Sequence, residues 1–455
     1  MRRSTMFDSF RDLSINELLR PEGFDCSCGK HHSAAPLKEV IIRQGAIEDL
    51  PGVLARMGYS RPYIVADRNT YAAAGEKVCA VLEASGVAYG RYVFPYDGVE
   101  PDEYAVGSVM MTIDDKCDVV IGVGSGVIND ICKVVAKGCR VPQIIVCTAP
   151  SMDGYASTCA SMFIDHLKTS LYVKVPVAII ADIDVIRNAP MRMIQAGVGD
   201  MITKANSLAE WEMAGLVNDE YFCKEVCELV RNSAKLCYEC IDGIANREPE
   251  AIATLMVGSI ISGIGVTFVN VSGPASGVEH YFSHIWDMRN LQAGKPVELH
   301  GIQTGAGTLL ALKLYEHLRG YTPDVEKADA YARSFNWDEW CKEVRRVYGK
   351  AAEKAIENEK TFGKHDYSKH VKRMQRLQDN WGKVQELIYS MPDAETMRAL
   401  YAKTGAPLHP HDFGRTDEDI VDAFATSQEI RDKYVLSRLL QDLGLTEEAK
   451  GWILE

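Results

Sequence analysis

The stretch Ile121-Gly122-Val123-Gly124-Ser125-Gly126-Val127-Ile128-Asn129-Asp130 decides the fold class. It follows an apolar run at 118–122 and leads into a helical pattern at 129–137, so its glycines fall in a strand-to-helix turn. Small residues there let the main chain approach a phosphate. The helix N-terminus behind them offers unpaired N–H groups and the positive end of the helix dipole. The spacing departs from GxGxxG, so these residues alone leave open both a dinucleotide-phosphate turn and a plain tight turn.

Working outward, the same alternation continues. Further strands are expected at 62–66, 89–94, 143–147 and 177–181, with helices at 70–85 and 104–114 between them. Continuous β-branched runs separated by helices predict a mostly parallel sheet covered on both faces. After Asn188-Ala189-Pro190 the strand signal disappears. Helical periodicity dominates at 209–245, 251–269, 304–319, 337–358 and 370–391. The expectation is an α/β N-terminal domain with a mostly parallel sheet over 1–188 and an all-α C-terminal domain over 189–455, with ligand chemistry in the cleft between two such halves.

At 455 residues the chain is too long for one ordinary core, which agrees with two domains. Apolar residues at 47% and charged residues at 25% indicate a globular chain. A net charge of −13, from 50 basic and 63 acidic residues, offers no cationic footprint for nucleic acid or an anionic membrane. An anionic substrate would need a local site. The 13 cysteines sit in apolar segments, as at Cys117, Cys132, Cys147 and Cys159, and read as reduced thiols. The start, Met1-Arg2-Arg3-Ser4-Thr5-Met6-Phe7-Asp8, has no apolar signal run, so a cytoplasmic protein is expected. Residues 251–278 carry no charge and could span a bilayer by length. Gly258, Ser259, Ser262, Gly263, Gly265, Asn270 and Pro274 within it favour a small-residue helix buried in a protein core.

Two further groups of residues can carry chemistry. Cys147-Thr148-Ala149-Pro150-Ser151-Met152-Asp153-Gly154-Tyr155-Ala156-Ser157 again follows a strand, at the sheet edge where ligands bind. Its hydroxyls and the Asp153 carboxylate suit a ligand, and an Asx turn at Asp153-Gly154 is the plainer alternative. His280 and His284 stand four apart at the start of a helical pattern, hence on one face, and His300 follows. Asp200, in Gly197-Val198-Gly199-Asp200, offers a carboxylate. One carboxylate with two or three imidazoles suits zinc, nickel or ferrous iron, although such a histidine pair can also be incidental. Asp67 ends the strand at 62–66, where either a ribose hydroxyl pair or a helix cap would be met.

Other patterns carry less. Cys26-Ser27-Cys28-Gly29-Lys30-His31-His32 resembles a metal knuckle, but the ligands look crowded for tetrahedral closure, and a short hairpin is expected. Cys223, Cys227, Cys237 and Cys240 read as small core residues. His409-Pro410-His411-Asp412 reads as a capped loop, and His166 and His317 have no evident partner.

Taken together, Gly124-Ser125-Gly126 with Asp130 and Lys133, Thr148 to Gly154, Gly199-Asp200, and Glu279-His280 through His284 to His300 resemble the sn-glycerol-1-phosphate dehydrogenase family, especially its bacterial branch. That family lies within the iron-containing alcohol dehydrogenase and dehydroquinate synthase superfamily. The order and separations fit over roughly 37–310, with Ser125 standing where a glycine is common elsewhere in the superfamily. The resemblance implies a homodimeric, metal-dependent enzyme acting on a small phosphorylated substrate, with NAD(H) or NADP(H) and one divalent metal. Metal ligands would be Asp200, His280 and His300. The dinucleotide would be held by Asp67, by Gly124, Ser125, Gly126, Val127, Ile128, Asn129 and Asp130, and by Thr148, Ala149, Pro150, Ser151 and Ser157. His284, Asp153 and Asp200 would be catalytic and touch substrate, and Lys204, one turn after Asp200, is the candidate for its phosphate. A glycerol or polyol dehydrogenase and a dehydroquinate synthase-like lyase are the alternatives. The lyase prefers a glutamate where Asp200 stands.

Overall fold

The computed structural model describes residues 15–19, 23–32, 36–165 and 167–455. The segment Met1 to Asp8 and His166 lie outside the described residues. The chain forms two compact units, Met1–Met201 with Lys224–Val271, and Ile202–Cys223 with Ser272–Glu455. The expected division at 188 differs from this partition, because the helices Met191–Ile202, Lys224–Glu239 and Pro249–Val269 belong to the sheet-bearing unit, apart from the last residue of the first of them.

In the first unit, β1 (Phe24–Asp25) and β2 (His31–His32) form a small antiparallel hairpin. Six parallel strands follow: β3 (Glu39–Arg43), β4 (Pro62–Ala66), β5 (Gly90–Val93), β6 (Val119–Gly124), β7 (Gln143–Cys147) and β10 (Ala178–Asp182), in the order β3-β10-β7-β6-β4-β5. Between β7 and β10 lies an antiparallel hairpin, β8 (Cys159–Ile164) and β9 (Leu167–Tyr172). The strand period of two divides the core. Ile64, Ile121, Ile144, Val146 and Ile180 pack with Leu50, Leu54, Val78 and Leu82 on one face. Tyr63, Val65 and Val120 pack with Val109, Ile128, Ile131 and Val135 on the other.

The chain runs from β4 to β5 in one direction across the sheet and from β6 through β7 to β10 in the other. The order therefore reverses between β4 and β6. Ligands of open parallel sheets sit outside the carboxyl ends of the strands at such a reversal.

The uncharged segment forms the helix Pro249–Val269, started by proline at its first turn and ended by Asn270 in the left-handed region. It is long and apolar enough to cross a membrane, yet 83% of its most apolar window is buried. A side chain at Gly258 would meet Cys237 Sγ at 2.6 Å, and one at Gly265 would meet Val230 at 2.7 Å. The small residues thus let this helix and Lys224–Glu239 approach closely, as a core helix requires. Cys223, Cys227 and Cys237 are buried, and Cys240 is partly so.

Among the described residues, the second unit is helical without strands, as expected. Its longest members are Lys204–Asn218, Val278–Gln292, His300–His317 and Tyr367–Ser390. Asp412 accepts from the amides of Leu408 and His409, so the His409–Asp412 segment is the capped loop read from the sequence.

Candidate active site

In the first unit, β6 ends at Gly124 and the helix Gly126–Cys139 begins two residues later, with Ser125 as its N-cap. Ser125 makes no side-chain cap bond, so the first turn's amides depend on another acceptor. Ile128 packs into the core, while Asn129 is buried against Gln143 through a bond of 3.1 Å to its Oδ1. Of residues 128–130 only Ile128 keeps a main-chain N–H for a phosphate, because the Asn129 amide already donates to the Ser125 carbonyl at 2.9 Å and Asp130 lies beyond the first turn. Ser125, Gly126 and Val127 are half-buried and form the approachable part of the turn, while Gly124 is buried with Ile128 against it. At the end of β4, Asp67 caps the following helix: its Oδ1 accepts from the Thr70 amide at 2.8 Å, and its own amide donates to Thr70 Oγ1 at 3.0 Å.

The loop after β7 lies beside the glycine turn, because the Thr148 amide donates to the Gly124 carbonyl at 3.1 Å. Thr148, Ala149, Pro150 and Ser151 are buried, and the Tyr155 hydroxyl locks the loop by donating to the Ala149 carbonyl at 2.6 Å.

Lys133, fully buried, ties these pieces together. Its ammonium donates to the carbonyls of Gly154 and Cys159, both at 2.8 Å, and to Ser157 Oγ at 3.3 Å, and lies 3.4 Å from Asp130. Asp130 also accepts from the Ser161 amide at 2.8 Å. Burial pushes the Asp130 carboxyl up and the Lys133 amine down, and their mutual attraction opposes both. Asp130 and Ser157 are thus engaged in fixing the 154–161 segment to the helix that opens at the glycine turn. Sequence reading used Lys133 only as a mark of resemblance; the helical offset of three from Asp130 was the available signal.

The helix Met191–Ile202 brings Asp200 to the same loop. Gly197, one turn earlier, meets the loop so closely that a Cβ there would lie 1.7 Å from the Pro150 carbonyl oxygen. Asp200 Oδ2 accepts from the Asp153 amide at 3.2 Å, and Asp153 Oδ2 accepts from the Ser262 hydroxyl at 2.7 Å. The two carboxylates expected to touch substrate are therefore neighbours.

In the second unit, His280 lies in the first turn of Val278–Gln292, and His300 opens the helix His300–His317. Their ring centroids are 4.9 Å apart, and one ring nitrogen of each lies within 4.8 Å of the other. His280 Nδ1 bonds Glu279 Oε1 at 2.6 Å, and His300 Nδ1 bonds Ser283 Oγ at 3.0 Å. With both Nδ1 atoms engaged, a metal bound here would be met by Nε2, and these partners fix ring orientation as such partners do behind metal-bound imidazoles. His284 stacks on His300 at 6.0 Å. Sequence reading gave Glu279 and Ser283 no role; the adjacency of an acid to the first histidine was the available signal.

Behind His280, Glu279 is fully buried. Burial would push its carboxyl up, but His280, the Gly277 amide and Asn206 bring it below the usual range, so it is ionised. Burial and the nearby Glu279 raise Glu210 to about 8, which keeps this neighbour protonated at neutral pH. Lys204, buried in the same unit, donates to Thr203 Oγ1 and the Ala275 carbonyl, each at 3.1 Å.

Residues 41–190 match the iron-containing alcohol dehydrogenase family. The chain is similar to glycerol-1-phosphate dehydrogenase (NAD(P)+) of Geobacillus stearothermophilus, 31% identical over 392 residues, which cover 86% of this chain and 88% of the relative. It is 34% identical over 296 residues to the enzyme of that name from Halalkalibacterium halodurans, covering 64% of this chain and 74% of the relative. Among solved structures it resembles a probable glycerol dehydrogenase from Sinorhizobium meliloti 1021, with a TM-score of 0.61 at 16% identity, covering 92% of this chain and 98% of that one. It also resembles a sulfoacetaldehyde reductase from Bifidobacterium kashiwanohense crystallised with NAD+, with a TM-score of 0.58 at 17% identity, covering 92% and 98%. At these identities the structural likeness carries the fold alone.

Proposed function

The chain belongs to the glycerol-1-phosphate dehydrogenase family, and on that premise we propose that it interconverts dihydroxyacetone phosphate and sn-glycerol 1-phosphate with NAD(P)H. The observation that carries this reading is the histidine pair with its supports, Glu279 behind His280 and Ser283 behind His300. That donor set fits a divalent metal held by His280, His300 and Asp200. Bound there, zinc, nickel or ferrous iron supplies Lewis acidity toward the substrate's C2 oxygen.

The chain's own residues do the rest. Ionised Glu279 fixes the tautomer and plane of His280. His284 exchanges a proton with the substrate oxygen and solvent. Asp153, steadied by Ser262, binds a substrate hydroxyl together with Asp200. Lys204 is the cationic partner for the phosphate. The N-terminal turn of Gly126–Cys139 holds the dinucleotide phosphates, Asp67 the ribose, and the loop from Thr148 to Ser157 the nicotinamide side. A homodimer belongs to the same reading.

The test is NADH oxidation with dihydroxyacetone phosphate, using purified protein, chelated protein, and chelated protein resupplied with zinc, nickel or iron. Loss on chelation and recovery with one metal supports the reading. No turnover with any metal, while glycerol is oxidised, would replace it by the polyol alternative.

Asp67 gives a second test. Its carboxylate would repel a 2′-phosphate, so NADH should be preferred. Asparagine caps a helix as well as aspartate does. Asp67→Asn should therefore leave the melting temperature nearly unchanged while shifting the NADPH-to-NADH ratio of kcat/KM toward NADPH by about tenfold, on the order of 1.4 kcal/mol. An unchanged ratio would remove Asp67 from the ribose site.

A further inference from the structure

The hairpin of β1 and β2 has only two residues in each strand, too little ladder to be stable alone. It is nevertheless sharply organised. The Cys26 amide donates to the Lys30 carbonyl at 3.1 Å, the Gly29 amide to the Cys26 carbonyl at 3.0 Å, and Gly29 occupies the left-handed region at φ +81°. Strand alternation on β2 sends the two adjacent histidines to opposite faces. His31 points out and pairs with exposed Asp25 at 2.9 Å, while His32 is only 2% exposed.

His32 is held from behind. Its Nδ1 lies 3.0 Å from the Phe268 carbonyl, so Nδ1 carries the proton and donates it, which leaves the lone pair on Nε2. Its ring packs on Phe24 at 4.9 Å, and Phe24 packs edge-on against Phe268 at 5.1 Å. Nε2 stands 3.5 Å from Cys28 Sγ. Cys26 Sγ, Cys28 Sγ and a ring nitrogen of His32 all lie within 4.8 Å of one another.

We propose that Cys26, Cys28 and His32 bind a structural zinc ion, separate from the metal at His280 and His300. Tetrahedral zinc, at about 2.3 Å from sulfur and about 2.0 Å from nitrogen, sets ligand atoms roughly 3.5 Å apart, the spacing found between Cys28 and His32. Two thiolates and one imidazole with its far nitrogen on a backbone carbonyl form a soft donor set suited to zinc, with water or a further thiolate completing the shell. The crowding that argues against this site in sequence is relieved by the hairpin, which turns His31 away. Hairpin and metal knuckle are the same structure. Because His32 is anchored to Phe268, the ion staples the segment before β3 to the end of the buried helix Pro249–Val269.

The test is metal content by mass spectrometry on full-length protein purified without added metal, in three forms: wild type, His280→Ala/His300→Ala, and Cys26→Ser/Cys28→Ser. The proposal expects one zinc per chain to survive in the histidine variant and to be missing from the cysteine variant, whose melting temperature falls. Cobalt substitution of the wild type should give an intense thiolate-to-cobalt charge-transfer band, which the histidine variant keeps. A zinc-free histidine variant, equal metal in the cysteine variant and wild type, or cobalt protein without that band would each overturn the proposal. The last reading holds even if the cysteine variant fails to fold.

Discussion

His280→Ala is expected to lower kcat/KM for dihydroxyacetone phosphate by about a thousand-fold or more, a loss of roughly 4 kcal/mol of transition-state stabilisation. Two effects act together. On the proposed reading the substitution deletes a metal ligand, and it leaves the Glu279 carboxylate buried without the imidazole that brings its titration below the usual range. Glu279→Gln separates the two. It keeps the imidazole and weakens only its orientation and basicity, so a loss of about 10–100-fold is expected, recoverable in part by added metal. Metal content and NADH oxidation, measured side by side with NADH binding as a control for folding, read both variants. A His280→Ala protein with wild-type turnover would remove the histidine pair from the chemistry.

Gly197→Ala carries the second large effect, and it needs no new chemistry to act. The added methyl group would sit 1.7 Å from the Pro150 carbonyl oxygen and 2.9 Å from its carbon. Both are main-chain atoms of a buried loop that cannot rotate away, so helix and loop must part. Overpacking of this kind costs about 3 kcal/mol or more. Separation also pulls the Asp153 amide off Asp200, so activity should fall further than the stability loss alone explains. Gly382→Ala is the control. It lies exposed within the helix Tyr367–Ser390 with nothing within 4 Å, and there alanine should stabilise by about 1 kcal/mol. Thermal melting of the two variants against wild type decides it, and equal melting temperatures for wild type and Gly197→Ala would refute the packing argument.

The sheet was legible where strands are buried on both faces. The runs at 62–66 and 143–147 coincide with β4 and β7, because continuous apolar residues flanked by turns admit little else. β3 was not read, since Glu39-Val40-Ile41-Ile42-Arg43 is a short edge strand ending in charge. The hairpin of β8 and β9 was also missed; it is partly exposed, and its anchor is a half-buried aspartate rather than an apolar pattern. In the candidate site the histidines and carboxylates were visible as residue types at helical spacing. What holds them was not. Glu279, Ser283, Ser262 and Lys133 act through contacts that follow from helix packing, and no local spacing encodes which nitrogen of an imidazole meets which oxygen.

The first unit is assembled from two stretches of chain, with Ile202–Cys223 between them belonging to the other unit. On the ribosome, the six-stranded sheet is therefore complete as strands by Asp182 and still lacks the helix that covers β3 and the Gly154–Ala156 turn until residue 269 has emerged. At about 5–20 residues per second, that interval of nearly ninety residues lasts roughly 4–18 seconds. A fragment cut at 188 would be frozen in that interval, with the docking face of Pro249–Val269 bare. The apolar surface that stabilises the finished unit is a liability in the unfinished one, and early chaperone capture during synthesis is its natural counterpart.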